Sequence, residues 1–287
     1  MHVRKSFIGV AAAIAVIPAG TAFAATIQGG PLGENLRGTR APDHIDGNGG
    51  NDRIHGFAGN DELIGGPGND RVFGGRGDDT IRGVQGNDWL NGGPGNDNVS
   101  GDANNTGDLT SFDRIFGGSG DDVLAGGDSR DRISGGPGND TANGENGNDR
   151  MNGGTGNDVQ NGGEGNDTIF ANIGQDTTDG GPGNDTLWAL ARSDVQPGPN
   201  GEIDTAADTL VGGPGDDTFR TRDGEADKIT CGDGNDNALL DTVDIITDAT
   251  ATNPNGSCER VVRAAPKPRA SKTEDAQQSP KDAQVQN

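Results

Sequence analysis

Aspartate recurs in this sequence at a spacing that could do chemistry. It stands every ninth residue at Asp52, Asp61, Asp70, Asp79, Asp88 and Asp97. A second run holds Asp122, Asp131, Asp140, Asp149, Asp158, Asp167, Asp176 and Asp185, and Asp217 and Asp236 take the same place in later units. If successive units stack, these carboxylates lie within several ångströms of one another, where they repel unless they are protonated or bridged by a cation. Protonating them all at neutral pH is implausible for groups whose usual pKa is near 3.9. A divalent cation between turns, held by carboxylates and by the carbonyls that glycine turns expose, removes the conflict. Flexible all-oxygen coordination points to Ca²⁺. Beyond the first residues the only histidines are His44 and His55, and the two cysteines are Cys231 and Cys258, so no zinc or copper constellation is available.

The elements that must position these carboxylates are written as one repeat. Residues 65–73 read GGPGNDRVF, 74–82 GGRGDDTIR, 83–91 GVQGNDWLN and 92–100 GGPGNDNVS. The nine-residue frame runs from Gly29 to Leu239 in 21 units, with insertions at 101–116 and 189–211 and one extra residue in 221–230. The sixth position is Asp in 20 units and Glu34 in the other. The eighth is mostly aliphatic, with Ala142, Gln160, Thr178 and Ala238 as weak places. Glycines at positions one, two and four permit a six-residue turn. The following triplet, such as Arg71-Val72-Phe73, is predicted as a short strand whose middle side chain points inward. One inward aliphatic per unit cannot bury a core alone, so units must stack, two strands to a turn. The predicted fold is an all-β, right-handed parallel β-roll, a solenoid of nonapeptide repeats with two loop insertions.

GGPGNDRVF, GGSGDDVLA (117–125) and GGTGNDVQN (153–161) closely resemble the GGxGxDxUx nonapeptides of the RTX, or haemolysin-type, calcium-binding repeat proteins. The resemblance covers about residues 29–239. It implies a β-roll in which each Ca²⁺ is held by aspartates of units two apart plus loop carbonyls, with the sixteen aspartates named above as ligands. About ten or more ions are expected, with affinities on the order of 10⁻⁴–10⁻³ M. Some units depart from the pattern. Ala41 and Ser129 replace the fourth-position glycine, and unit 171–179 opens Ala171-Asn172-Ile173 with Thr178 inward, which predicts weakened sites and a loose turn.

Composition alone argues differently. There are 53 Gly and 14 Pro in 287 residues, only 49 Ile, Leu, Val and Phe, and a net charge of −23. That is the profile of a disordered chain. It excludes an ordinary globular enzyme of this length, and the acidity disfavours nucleic acid as a partner. The phase-locking of one carboxylate and one aliphatic residue overturns the disorder reading, which then applies only while calcium is missing.

Residues 1–24 read as a secretory signal, with Arg4 and Lys5 before an apolar run from Phe7 to Ile17 and a small-residue cleavage site at Ala22-Phe23-Ala24. A retained anchor is disfavoured by the shortness of that run, and no integral membrane segment is expected after its removal. The mature protein is expected outside the cytoplasm, either secreted or surface-associated. Residues 240–262 are expected to form a cap, closed by a Cys231–Cys258 disulfide and by Val243, Ile245, Ile246, Val261 and Val262. Residues 263–287 are expected to be a disordered tail. No HExxH or GxSxG occurs and no segment outside the repeats suits a catalytic domain, so the chain is expected not to be an enzyme. The alternative function is an adhesin or partner-binding roll, with Trp89 and Trp188 at outward positions seven and nine. An ice-binding roll is disfavoured because Pro67, Pro94, Pro137, Pro182 and Pro214 occupy the third position, where a threonine array would be needed.

Overall fold

The computed structural model describes residues 24–102, 111–189 and 206–264. The expected signal and most of the expected tail lie outside these residues. Among the described residues, 24 strands form two parallel sheets of twelve, one holding the odd-numbered strands in chain order and the other the even-numbered strands. The chain alternates between the sheets, so each strand pairs with those two units away. In the odd sheet Ile45 lies between Ile27 and Leu63, and in the even sheet Val72 lies between Ile54 and Leu90. This is a parallel β-solenoid.

Some strands keep the predicted triplet, such as Asn35–Arg37 and Thr177–Asp179, but most are longer. Arg71–Arg76 and Arg132–Pro137 are typical, six residues each, and run on through the first positions of the next unit. The glycines cause this extension, because they let neighbouring backbones approach as closely as a ladder requires. Gly66, at φ 102°, pairs with Val84, and a Cβ there would overlap the Asn48 carbonyl of the turn below. The coil also closes across both insertions. Trp89 pairs with Arg114 and Thr177 with Thr209, so the inserted residues leave the ladder register undisturbed.

The eighth-position side chains form the core, facing one another from the two sheets. Ile45, Ile54, Leu63, Val72, Ile81, Leu90, Val99 and Ile115 are fully buried. The aliphatic stack divides in two, from Leu36 to Ile169 and from Leu187 onward. The interruption falls where Gln160 and Thr178 occupy consecutive core positions of the odd sheet, both buried. With its amide turned to suit its neighbours, Gln160 donates to the Phe170 carbonyl (3.1 Å) and accepts from the Gly153 N–H (2.9 Å). The unit expected to be loose forms regular structure: Thr168–Ile173 is a six-residue strand with Ala171 and Asn172 buried, and Asn172 takes the left-handed conformation of a second-position glycine.

The sheets extend past the frame at both ends. Thr26–Gln28 opens the odd sheet, and Ile245–Ile246 and Arg260–Arg263 close the odd and even sheets. The final strands keep the repeat's alternation, so the five aliphatics expected to seal the end do not act together. Ile246 is buried and Val261 packs on the core, whereas Val243, Ile245 and Val262 are exposed because they fall on outward positions. Cys231 and Cys258 are bonded, with their Cα atoms 5.2 Å apart. No helix of the described residues is long and apolar enough to cross a membrane.

Candidate metal centre

The sixth position follows the turn and precedes the inward triplet, which directs its side chain toward the coil. All sixteen predicted aspartates are buried, none more than 2 % exposed. They form two continuous ladders. In the even sheet the backbone N–H of Asp52 donates to Oδ1 of Asp70 (2.7 Å), that of Asp70 to Asp88 (2.7 Å), that of Asp131 to Asp149 (2.7 Å) and that of Asp217 to Asp236 (2.8 Å). In the odd sheet the same bond joins Asp61 to Asp79, Asp79 to Asp97, Asp97 to Asp122, Asp122 to Asp140, Asp140 to Asp158 and Asp158 to Asp176. In the even sheet again, Asp167 donates to Asp185, and Asp185 to Asp217 across the second insertion.

One oxygen of each carboxylate is therefore used by the ladder. The other, Oδ2, is buried without a hydrogen-bond partner among the described residues at Asp52, Asp61, Asp70, Asp79, Asp88, Asp97, Asp122 and most of the later rungs. It points at the first-position glycine of its own unit, beside a carbonyl of the next turn. Asp70 Oδ2 and the Gly83 carbonyl oxygen lie 2.4 and 2.9 Å from the point a Cβ on Gly65 would occupy. Asp97 Oδ2 and the Gly117 carbonyl share the space over Gly92 in the same way. Buried oxygens without donors are costly, and glycine keeps the space beside them open.

The electrostatics follow from this arrangement. Burial pushes the carboxyls up, against the pull of the ladder N–H each accepts: Asp70 to about 6, Asp79 to about 7, Asp88 to about 8 and Asp149 to about 8. Neighbouring aspartates add to the rise. The protein alone therefore disfavours the charged form of groups that would ordinarily be ionised at neutral pH. No point among the described residues gathers three or more acidic, histidine or cysteine side chains. A cation here would rest on one or two carboxylates completed by backbone carbonyls. That donor set is all oxygen and suits Ca²⁺, whose charge would favour the ionised carboxylates that burial opposes.

Several rungs lie beyond the predicted set. Asp113, Asp208 and Asp227 are buried in the ladders, with an unpartnered Oδ2 and pKa values raised to about 9, 10 and 9. Their sixth-position place marks them, although insertions displace two of them and an extra residue the third. Asp43 differs, because its Oδ2 accepts from the Thr39 N–H and is no longer available, in a unit that carries Ala41 for glycine. The ladders end on Asp244, which accepts from Asp227, and Glu259, which accepts from Asp236. The signal for both was the acid two residues before an inward Ile246 or Val261. A second ladder lies outside at position five: Asn69 and Asn87 donate their N–H to the side-chain oxygens of Asn51 and Asn69, the reverse direction to the aspartate series.

The fold and these ladders define a parallel β-solenoid with carboxylate-lined turns. The RTX calcium-binding nonapeptide repeat matches the chain over residues 28–63, 37–72, 55–84, 73–106, 110–142, 126–160, 161–187 and 204–238. This is more than half of the chain, which belongs to that family. Calcium is the ion its repeats take. No curated protein matches the chain.

Proposed function

We propose that this is a secreted, non-enzymatic calcium scaffold whose roll forms as ions bind between its turns, with a structural or surface role. The observation that carries this reading is the repeated unpartnered Oδ2 beside a carbonyl in both ladders. Without cations, the folded chain must either keep buried carboxylates charged or hold protons on them at neutral pH. Ions that bind only the folded form change that balance. At a free concentration ten times its Kd, each site adds about 1.4 kcal/mol to the folded state, and the contributions of many sites accumulate. The N-terminal sequence supports export, and the bonded Cys231–Cys258 pair suits an oxidising compartment. The test is far-UV circular dichroism of residues 25–287. The spectrum is expected to be largely coil in EDTA, to gain β signal with millimolar Ca²⁺, and to change much less with Mg²⁺. Identical spectra in EDTA and Ca²⁺ would refute the reading.

A further inference from the structure

Trp188, expected as an outward contact anchor, is buried: it stacks on Phe170 and carries Arg220 over its face. A charge without a counter-ion lies elsewhere, at the head of the odd-sheet ladder. That ladder begins on a main-chain nitrogen. The N–H of Ala25 donates to Oδ1 of Asp43 (2.5 Å), and the N–H of Asp43 donates to Oδ1 of Asp61 (2.8 Å). Ala25 thus holds the place of a first rung without supplying an acid. It is fixed there by its own carbonyl, which accepts from the His44 N–H (2.8 Å), and by the strand Thr26–Gln28 that follows it.

Asp43 is unlike the later rungs. It is 4 % exposed, yet both of its oxygens are bonded: Oδ1 also accepts from the Thr39 hydroxyl (3.1 Å), and Oδ2 accepts from the Thr39 N–H. Glu34, at the head of the even ladder, is closed in the same way by the Gly30 N–H (2.7 Å), but Glu34 is exposed and needs no counter-ion. None of the described lysine, arginine or histidine side chains forms an ion pair with Asp43. Its charge also works against that of Asp61 on the next rung. A buried carboxylate in that position is costly unless a cation is paired with it. The nitrogen against its Oδ1 is the one that the expected signal cleavage, after Ala24, would leave as a free amine. An α-amine, with a usual pKa of about 8, is charged at neutral pH.

We propose that Asp43 is the binding site of the chain's own α-ammonium, and that processing between Ala24 and Ala25 supplies there the positive charge that calcium supplies at later rungs. The proposal rests on the export reading above. Ala24 is exposed and Ala25 half-buried, so the bond between them lies at the surface and its loss removes nothing from the core. The register is demanding. A chain one residue longer carries its charge about 3.8 Å farther along, on an exposed residue. A chain one residue shorter loses the nitrogen, and with it the carbonyl that His44 uses.

The test is chemical denaturation at saturating Ca²⁺ of chains released from a cleavable fusion, so that they begin at Ala24, Ala25 or Thr26. All three are expected to show the same calcium-induced β signal. The Ala25 chain is expected to be the most stable, with a folding constant about tenfold above that of the Ala24 chain and further above that of the Thr26 chain. Asp43→Asn keeps Oδ1 as an acceptor. It is expected to lower the folding constant of the Ala25 chain at least about fivefold and that of the Ala24 chain by less than about twofold, the non-additivity that marks a direct pair. Mass spectrometry of the exported protein is expected to find Ala25 as its first residue. Equal stability of the Ala24 and Ala25 chains, the same loss from Asp43→Asn in both, or another first residue on the exported protein would each overturn the proposal. Absence of β signal in all three chains would overturn the scaffold reading, and this proposal with it.

Discussion

At the residue scale, each ladder aspartate does two jobs with its two oxygens, and one substitution separates them. In Asp88→Asn the Oδ1 still accepts the Asp70 N–H, while an amide nitrogen replaces the Oδ2 that lies beside the Gly101 carbonyl. The amide can donate to that carbonyl and carries no charge to bury. Asp88→Asn is therefore expected to bind Ca²⁺ at its turn at least tenfold more weakly, yet to be no less stable than the native chain in EDTA. Calcium titration and denaturation in EDTA measure the two effects. Protons can partly stand in for the ion. The folded-state pKa of Asp79 is raised to about 7, that of Asp88 to about 8 and that of Asp113 to about 9, against unfolded values near 3.9. A raised carboxyl favours folding below its unfolded pKa, and this contribution is lost as pH rises through the folded value. The metal-free chain is thus expected to gain β signal on acidification from about pH 9 toward about pH 4, and to lose it on return. Circular dichroism in EDTA across that window checks this.

At the scale of the strand and turn, the period of nine decides which side chain is inside. Val123 and Leu124 are neighbours of similar chemistry, yet Leu124 is 1 % exposed and Val123 52 %. Leu124→Ala is expected to cost roughly 2–5 kcal/mol, and Val123→Ala to stay within about 0.5 kcal/mol of zero. Chemical denaturation at saturating Ca²⁺ measures both. The inward and outward assignments were legible in the sequence because Asp at six and an aliphatic at eight repeat in phase, and the pairing of units two apart followed from the coil they imply. Strand length was not legible. Glycine reads as turn, yet here glycines at positions one and two sit inside paired strands, because the absence of Cβ matters there for close approach. The terminal units were missed for a different reason. Asp244-Ile245-Ile246 and Glu259-Arg260-Val261 keep the acid and the inward aliphatic without the glycines by which the frame was recognised. The end-on contact of the ladders with Asp244 and Glu259 is what identifies them.

At the scale of the whole molecule, the composition that suggested disorder is reconciled with a long ordered coil. Stacking multiplies one small unit, and the sparse aliphatics fall once per unit where they meet. The seventh-position columns of the two sheets differ, with Thr80, Asn98, Val123, Thr141 and Val159 on one and Arg53, Arg71, Arg114, Arg132 and Arg150 on the other, a contrast that the overall charge hides because a sum does not say which sheet a residue joins. The disulfide ties the Cys231 turn to the final one; its 28-residue loop would contribute about 3.5 kcal/mol by chain entropy. The central claim is that the ladders hold calcium, and counting bound ions tests it most directly. Equilibrium dialysis of the mature chain against about 1–5 mM Ca²⁺ is expected to retain several ions per chain, with fewer in a variant carrying Asn at Asp70, Asp88 and Asp149. No retained calcium, or the same number in that variant, would contradict the account.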